Sequence, residues 1–502
     1  MREARANAKS ALAPLAAGWG AIRCCGSQRC YIEVMPIMKL GLRPSAPRCP
    51  YKAWPALHGL LLVLISISSI GCWRPPPADN ILFVSFDTTR ADHLSAYGYE
   101  APTSPNVDSL ARDGVLYERA FTAMPSTLGA HTTMFTGLLP PSHGVRCNGR
   151  FRVPEAHTTL AETLSANGFD TGAILAALPL DRRFGLDQGF EVYDADFSKS
   201  APNATRSPGR MDEPGKWLSL DYDDFERGAD EVTQLAIEWL DARVNSKNDR
   251  WFLFAHYFDA HWPYQPEAPW SERFDIAYDA EISFMDEQFG RLMEKVRSMP
   301  GRTLVVFTAD HGEGLKEHGE FLHTQYLYNS TLHVPLIISL EETTVAGLRV
   351  PQNVGHIDLL PTILELLNIT SHPTQLAGRS LVPTLKGETI EPAQLYSETL
   401  VHKLENLGGT EVRALIDGDH KLITTKIDEG FRSAGLHREL YDMANDPGEI
   451  HLLGGKRMGE TRRGLAENLD RLQAELERTA IPPEAIDLDE DAEAKLKALG
   501  YL

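Results

Sequence analysis

Five stretches of this chain are apolar at nearly every position: "NILFVSF" (80–86), "DTGAILAA" (170–177), "WFLFAHYF" (251–258), "TLVVFTA" (303–309) and "VPLIISL" (334–340). Runs of this length without polar alternation predict strands covered on both faces. Between them the periodicity lengthens. "TTLAETLSANG" (158–168) opens with a Thr159-x-x-Glu162 capping box and ends on Gly168, which predicts a short helix. "YDAEISFMDEQFGRLMEKV" (278–296) sets Ile282, Met285, Phe289, Leu292 and Val296 on one helical face. Alternation of this kind predicts a layered α/β domain over 80–370. Beyond it, "LYSETL", "ALIDGDHKLITT" and "ELYDMANDPGEI" read as short strands joined by Asp/Gly turns, followed by an amphipathic helix at about 459–479. Residues 371–502 are therefore expected to form a smaller α+β domain. The acidic run "EAIDLDEDAE" (484–493) reads as a solvated surface segment.

The N-terminal pattern is different. "ALHGLLLVLISISSIGCW" (56–73) is an apolar run preceded by Arg48 and Lys52 and closed by Gly71-Cys72. Basic, apolar, then small residues is the order of an export signal, and the run is short for a permanent span. It resembles a bacterial lipoprotein signal with Cys72 as the lipidated first mature residue, although Ser69 stands where that motif usually has Leu. The expectation is a signal over 1–71, a Pro-rich tether over 72–79 ("RPPPAD" at 74–79), and a folded region from Asn80. The protein would then be exported and held at the cell envelope by a membrane anchor. An uncleaved N-terminal anchor is the main alternative.

Charge narrows the partners. The whole chain carries 69 acidic and 49 basic residues. Without its first 71 residues it has 67 acidic and 40 basic residues, a net charge of −27. Such a surface repels polyanions and argues against nucleic-acid binding. An anionic substrate would need a metal or local cations. Of six cysteines only Cys72 and Cys147 lie beyond residue 71, where the expected signal ends, too few for a disulfide framework.

Asp87 and the Asp310-His311 pair each follow one of the buried strands at its C-terminal end. Open α/β sheets place their ligand sites at that edge. Two carboxylates and an imidazole can hold a divalent cation with positions open for substrate. Either Asp alone would read as a turn or capping residue; together, each after its own strand, they favour a metal.

At these residues the chain resembles a known family. "NILFVSFDTTRADHLSAYGY", "MFTGLLPPSHGVR", "HYFDAHWPY", "YDAEISFMDEQFGRL", "FTADHGEGLKEHGEF", "HVPLII", "GRSLVPTL" and "LYDMANDPGE", in that order, are similar to the sulfatase family of the alkaline phosphatase superfamily. The resemblance implies an α/β sandwich around a large mixed sheet between helices, with a small C-terminal α+β domain. It also implies that Asp87, Asp310 and His311 ligate a divalent metal ion (calcium, zinc or manganese). Sulfatases carry a Cys or Ser, matured to formylglycine, in a Cys-x-Pro-Ser-Arg stretch ahead of a Thr-Gly. Counting back from Thr136-Gly137 puts Thr127 at the nucleophile and His131 at the arginine. His261, in "DAHWPY", matches a histidine that contacts substrate or leaving group. His323 reads as a nearby base, a further ligand or a surface histidine, and Arg146 with Asn148 in "VRCNG" can contact the anion. His333 reads as packing.

The departures matter. A formylglycine hydrate can shed sulfate by collapsing to the aldehyde, whereas a threonine ester must be hydrolysed directly. Threonine suits phosphoryl transfer, as in phosphodiesterase and phosphoethanolamine-transferase relatives. Thr88 also replaces the second Asp of a typical Asp-Asp pair. The expected activity is hydrolysis of a sulfate or phosphate ester, on a small anionic ester or a sulfated or phosphorylated glycan or lipid. The alternatives are a phosphoryl transferase and a catalytically inactive binding member.

Overall fold

The computed structural model describes residues 77–499, except 198–209, 214–215, 219–225, 245–247, 249, 373–375, 406–408 and 431–432. The apolar segment 56–73 and Cys72 lie outside the described residues. Among the described residues no helix is long and apolar enough to cross a membrane.

The large sheet has nine strands: β1 (Asn80–Phe86), β2 (Val115–Phe121), β3 (Asp170–Ile174), β4 (Val192–Asp194), β5 (Trp251–Tyr257), β6 (Thr303–Ala309), β7 (His333–Val334), β8 (Leu336–Ser339) and β9 (Leu348–Gly355). Its centre is parallel, with β1 between β5 and β6 and β3 and β4 continuing beyond β5. On the other side β8 runs antiparallel to β6 and to β2, so the sheet is mixed. Every residue of β1 and β5 is buried, which is why those strands read as unbroken apolar runs. Phe86 packs edge-on against Tyr257, Phe289 and Phe307, tying three strands and a helix together. A fully buried phenylalanine of this kind contributes about 1.5–3 kcal/mol.

Two strands were not legible as apolar runs. β2, "VLYERAF", carries Glu118 and Arg119, both only half-buried. β9, "LRVPQNVG", contains Pro351 and a register shift between Val350 and Asn353. Among the described residues β9 pairs only with β2 and so is an edge strand, where proline removes a donor that no neighbour needs. β2 lies between β9 and the β7–β8 pair, and its Glu118 is paired with Arg349 of β9. The expected strand at 334–340 is split at Pro335 into β7 and β8.

Helices α1 (Pro105–Asp113), α2 (Thr127–Thr136), α3 (Leu160–Ala166), α4 (Ala229–Asp241) and α5 (Ala277–Ser298) cover the sheet. The capping box of α3 forms as expected, with Glu162 N donating to Thr159 Oγ1 at 3.0 Å and Thr159 N to Glu162 Oε2 at 2.8 Å. In α5 the predicted face is buried, and Asp286 on it accepts from the backbone N–H groups of Asn106 and Val107, both at 2.9 Å. A carboxylate thereby caps the first turn of α1, where a helix favours negative charge. Close approach also fixes Gly290, where a Cβ would stand 2.6 Å from Asn106 Cγ.

Residues beyond 394 form a four-stranded antiparallel sheet, β10 (Leu395–Thr399), β11 (Thr410–Asp417), β12 (His420–Ile427) and β13 (Gly435–Asp442). Helix α6 (Lys456–Thr479) lays Leu465, Leu469 and Leu476 against Leu415, Leu422 and Leu440 of that sheet. The acidic run at 484–493 is only partly a solvated segment. Glu484 and Ala485 pair with Phe151 and Arg152, and Asp489 caps a helix over Glu490–Ala498.

Candidate active site

β1, β5 and β6 end side by side, and their parallel register brings the chemistry together. Asp87 follows β1, Asp310 and His311 follow β6, and His256 sits opposite Ser85 near the end of β5. All four side chains are fully buried. His311 Nε2 stands 3.4 Å from Asp310 Oδ2 and 4.0 Å from Asp87 Oδ1. None of these three atoms has a hydrogen-bond partner, although buried polar atoms normally do. Their other atoms are held: Asp310 Oδ1 accepts from Thr88 N at 3.2 Å and His311 N at 2.8 Å, and His311 Nδ1 donates to Gly312 O at 2.9 Å. The His311 lone pair therefore faces the two carboxylates. Three orphaned ligand atoms within 4.8 Å of one another fit a divalent cation.

The electrostatics agree. Burial pushes Asp87 up to about 6, against His311 and the hydrogen bonds from Asp310 and Thr127. Burial and Asp87 push Asp310 up to about 6. Burial opposes the His311 imidazolium, but Asp310 and Asp87 outweigh it and hold its pKa above the usual histidine value. Uncompensated carboxylates this close are costly in a dry interior. Thr88, between β1 and the turn, is held at φ 51°, an uncommon conformation for a β-branched residue.

Thr127 opens α2, with Ser126 as its N-cap, and its hydroxyl is hydrogen-bonded to Asp87. Asn148 Oδ1 accepts from Ser126 Oγ and from Leu128 N, both at 2.9 Å. Two donors on Oδ1 fix the amide, and the buried Nδ2 has no partner. His131, one turn along α2, donates from Nδ1 to Thr127 O at 2.7 Å and accepts at Nε2 from Ser85 Oγ at 3.0 Å. His256 Nε2 donates to Asp87 Oδ2 at 3.2 Å. Burial lowers both histidines to about 4. With Asp310 they form a second cluster of ligand type, but the nitrogens of His131 are engaged within the protein, so the pair orients Asp87 and Thr127.

His261, His323 and His311 form a row, with ring centroids 5.2 Å and 4.4 Å apart. Burial holds His261 and His323 well below the usual value. His323 Nδ1 lies 3.3 Å from Glu313 Oε1, and Tyr264 donates to Glu313 Oε2 at 3.1 Å. Burial pushes Glu313 up to about 8. Arg146 has another role than the one expected of it. It forms a bidentate pair with the fully buried Glu398 of β10, tying the loop at 144–149 to the small sheet. Cys147 is buried and burial pushes its thiol up to about 12, as befits a small hydrophobe. His333 packs between Tyr97 and Phe121 and bonds Glu118 O at 2.8 Å.

Sequence reading missed His256 and Glu313. His256 was visible as the one imidazole inside an apolar strand, and Glu313 as the carboxylate two residues after His311.

A model of the sulfatase family matches residues 79–369, more than half of the chain. The chain belongs to the sulfatase family. The N-sulphoglucosamine sulphohydrolase C-terminal model matches residues 316–475. Among relatives of this sulfatase-family chain, the Delta 4,5-hexuronate-2-O-sulfatase of Bacteroides thetaiotaomicron is 24% identical over 84% of this chain and 94% of its own. The arylsulfatase of Clostridium perfringens is 22% identical over 74% of this chain and 89% of its own. The fold matches the phosphonate monoester hydrolase of Agrobacterium radiobacter with a TM-score of 0.63 at 21% identity, over 80% of this chain and 96% of that one. It also matches a structure in complex with D-glucosamine-2-N,6-O-disulfate, with a TM-score of 0.64 at 19% identity, over 80% and 99%. The chain is thus a sulfatase-family ester hydrolase.

Proposed function

We propose that this protein is a metal-dependent hydrolase of an anionic ester with Thr127 as its nucleophile, and that its ester is a phosphate. One observation carries the reading: the Thr127 hydroxyl, at a helix N-terminus, is bonded to Asp87 beside the orphaned atoms of Asp310 and His311. Asp87, Asp310 and His311 would hold the cation. When bound, it supplies positive charge that lowers the pKa of a hydroxyl and stabilises charge on the ester oxygens.

The chain's own residues supply the rest. Asp87 takes the hydrogen bond of the Thr127 hydroxyl and leaves its lone pairs directed outward. Oγ1 attacks the phosphorus in line as its proton passes to Asp87 and the bond to the leaving oxygen breaks, so the phosphoryl group passes to Thr127; Asp87 returns that proton to Oγ1 when water later releases the phosphate. The first turn of α2 favours the anionic group, and Asn148 Nδ2, fixed by its two bonds at Oδ1, donates to a non-bridging oxygen. A substrate anion beside His261 and His323 raises their pKa values, and the protonated His323 ring delivers its proton to the leaving oxygen. His323, tied to Glu313, then takes a proton from the water that frees Thr127. Threonine favours phosphate because it has no aldehyde route for releasing sulfate. Relatives named for glycan sulfate esters support a glycan-linked ester as the substrate class.

The test is a paired assay on aryl sulfates and aryl phosphate mono- and diesters after chelation and metal return. Faster turnover of phosphate, only with metal, is expected. Faster turnover of sulfate overturns the choice of ester, and full activity without metal overturns the metal assignment.

A further inference from the structure

Strand β10 is buried at every position and reads "LYSET". Strands covered on both faces are ordinarily apolar, and three polar side chains in succession are costly there unless each has a partner. Each has one, and each partner lies in a different segment of the active site. Ser397 Oγ donates to Thr122 O at 2.8 Å and Glu398 N to Ala123 O at 3.0 Å, on the stretch that leads into Thr127. The Glu398 carboxylate accepts from Arg146, in the loop that carries Asn148. Thr399 Oγ1 donates to Thr324 O, next to His323.

The last of these contacts falls on a strained point of the backbone. Thr324 is held at φ 79°, where a β-branched residue is rarely found, and such conformations persist only where the surroundings impose them. Part of the constraint is internal to the loop. Gln325 N and Tyr326 N both donate to Glu320 Oε1, at 2.8 and 3.2 Å, and Gly314 N donates to Leu322 O at 2.6 Å. The Thr399 hydroxyl supplies a constraint from outside it. Thr399, Thr324 and His323 are all buried, so solvent does not readily replace that donor. The left-handed turn at Thr324 sets where the chain leaves His323, and Glu313 Oε1, 3.3 Å from Nδ1, sets the ring. The imidazole is held between a carboxylate of its own loop and a hydroxyl of the small sheet.

We propose that Thr399 is a positioning residue: from the small sheet, its hydroxyl holds the backbone turn that aims His323 at the leaving oxygen. The inference rests on the proposed role of His323 as the acid that protonates that oxygen. Proton delivery depends steeply on alignment, because the donor must come within hydrogen-bond reach of the oxygen it serves. The contact of Thr399 is with backbone beside the acid, so its loss shows in the step that needs the proton.

The test compares kcat/KM on phenyl phosphate, whose leaving oxygen needs a proton, with kcat/KM on dinitrophenyl phosphate, whose leaving oxygen does not. Thr399→Val and Thr399→Ala both remove the donor, and whichever folds should lose about tenfold on the phenyl ester while staying near wild type on the dinitrophenyl ester. Thr399→Ser keeps the hydroxyl and should restore turnover of the phenyl ester. In a His323→Asn enzyme Thr399→Val should cost nothing further, because residues that act through one another are not additive. Equal losses on both esters, or an undiminished loss in the His323→Asn background, would show that Thr399 only supports the fold and would overturn the proposal. Wild-type turnover of the phenyl ester by Thr399→Val would overturn it as well. A His323→Asn enzyme that expels phenol as well as the wild type would instead overturn the role given to His323, and this inference with it.

Discussion

At the residue scale, Asp87, Asp310 and His311 were legible because each directly ends a buried strand. His256 stood out locally as an imidazole in an apolar strand, but its role beside Asp87 arises from the register that sets β5 beside β1, which the sequence does not reveal. Arg146 was legible as a cation, but its partner Glu398 lies 252 positions away. Removing one side of a buried pair strands the other charge, so Arg146→Met should destabilise the fold by about 3 kcal/mol, measured by denaturant titration. Wild-type stability with lost kcat/KM would instead make Arg146 a substrate contact. The metal carboxylates give a pH dependence of known sign. Protons compete with the cation for Asp87 and Asp310, both raised to about 6, and for His311. Metal affinity should therefore fall as pH drops below about 6, and the thermal shift on adding metal should be larger at pH 7.5 than at pH 5. An equal shift at both values would contradict the ligand set. Asp310→Asn should abolish metal binding while leaving the metal-free fold as stable or more so, because it removes a buried charge.

At the element scale, the central strands could be read because both faces are covered and hence apolar. The helix over 277–298 could be read because its buried stripe keeps a helical period. β2 and β9 could not, since β9 carries a proline admissible at the sheet edge, and the charges of β2, Glu118 and Arg119, have their partners Arg349 and Asp419 far away in sequence. Helix α2, which carries Thr127, was hidden for a different reason. It is buried on every side, so it shows no amphipathic stripe, and its start is marked only by Ser126. Asn148 holds that start. Asn148→Ala should remove both the cap and the donor, lowering kcat at least tenfold with a loss of about 1 kcal/mol in stability. Ser126→Ala, which leaves the Leu128 N–H bond to Asn148, should keep most of the turnover. A Ser126→Ala enzyme as damaged as Asn148→Ala would show that the amide is not itself a contact.

At the scale of the whole molecule, the ordered family motifs made the α/β sandwich legible, while the attachment of the small sheet rests on pairs such as Arg146–Glu398 that are remote in sequence. We propose that the chain is exported and anchored through Cys72. Expressed in a bacterial host, the wild type should partition into detergent, and Cys72→Ser should lose the lipid. A mature N-terminus upstream of Cys72 would favour the uncleaved anchor.

The account turns on Thr127. The most direct measurement is peptide mass spectrometry of enzyme quenched during turnover of an aryl phosphate, run beside Thr127→Ala. The account predicts a phosphoryl group on the peptide that contains Thr127, fragmentation that places it on that residue, and loss of both label and kcat in the variant. A label on Ser126, or normal turnover by Thr127→Ala, would contradict it.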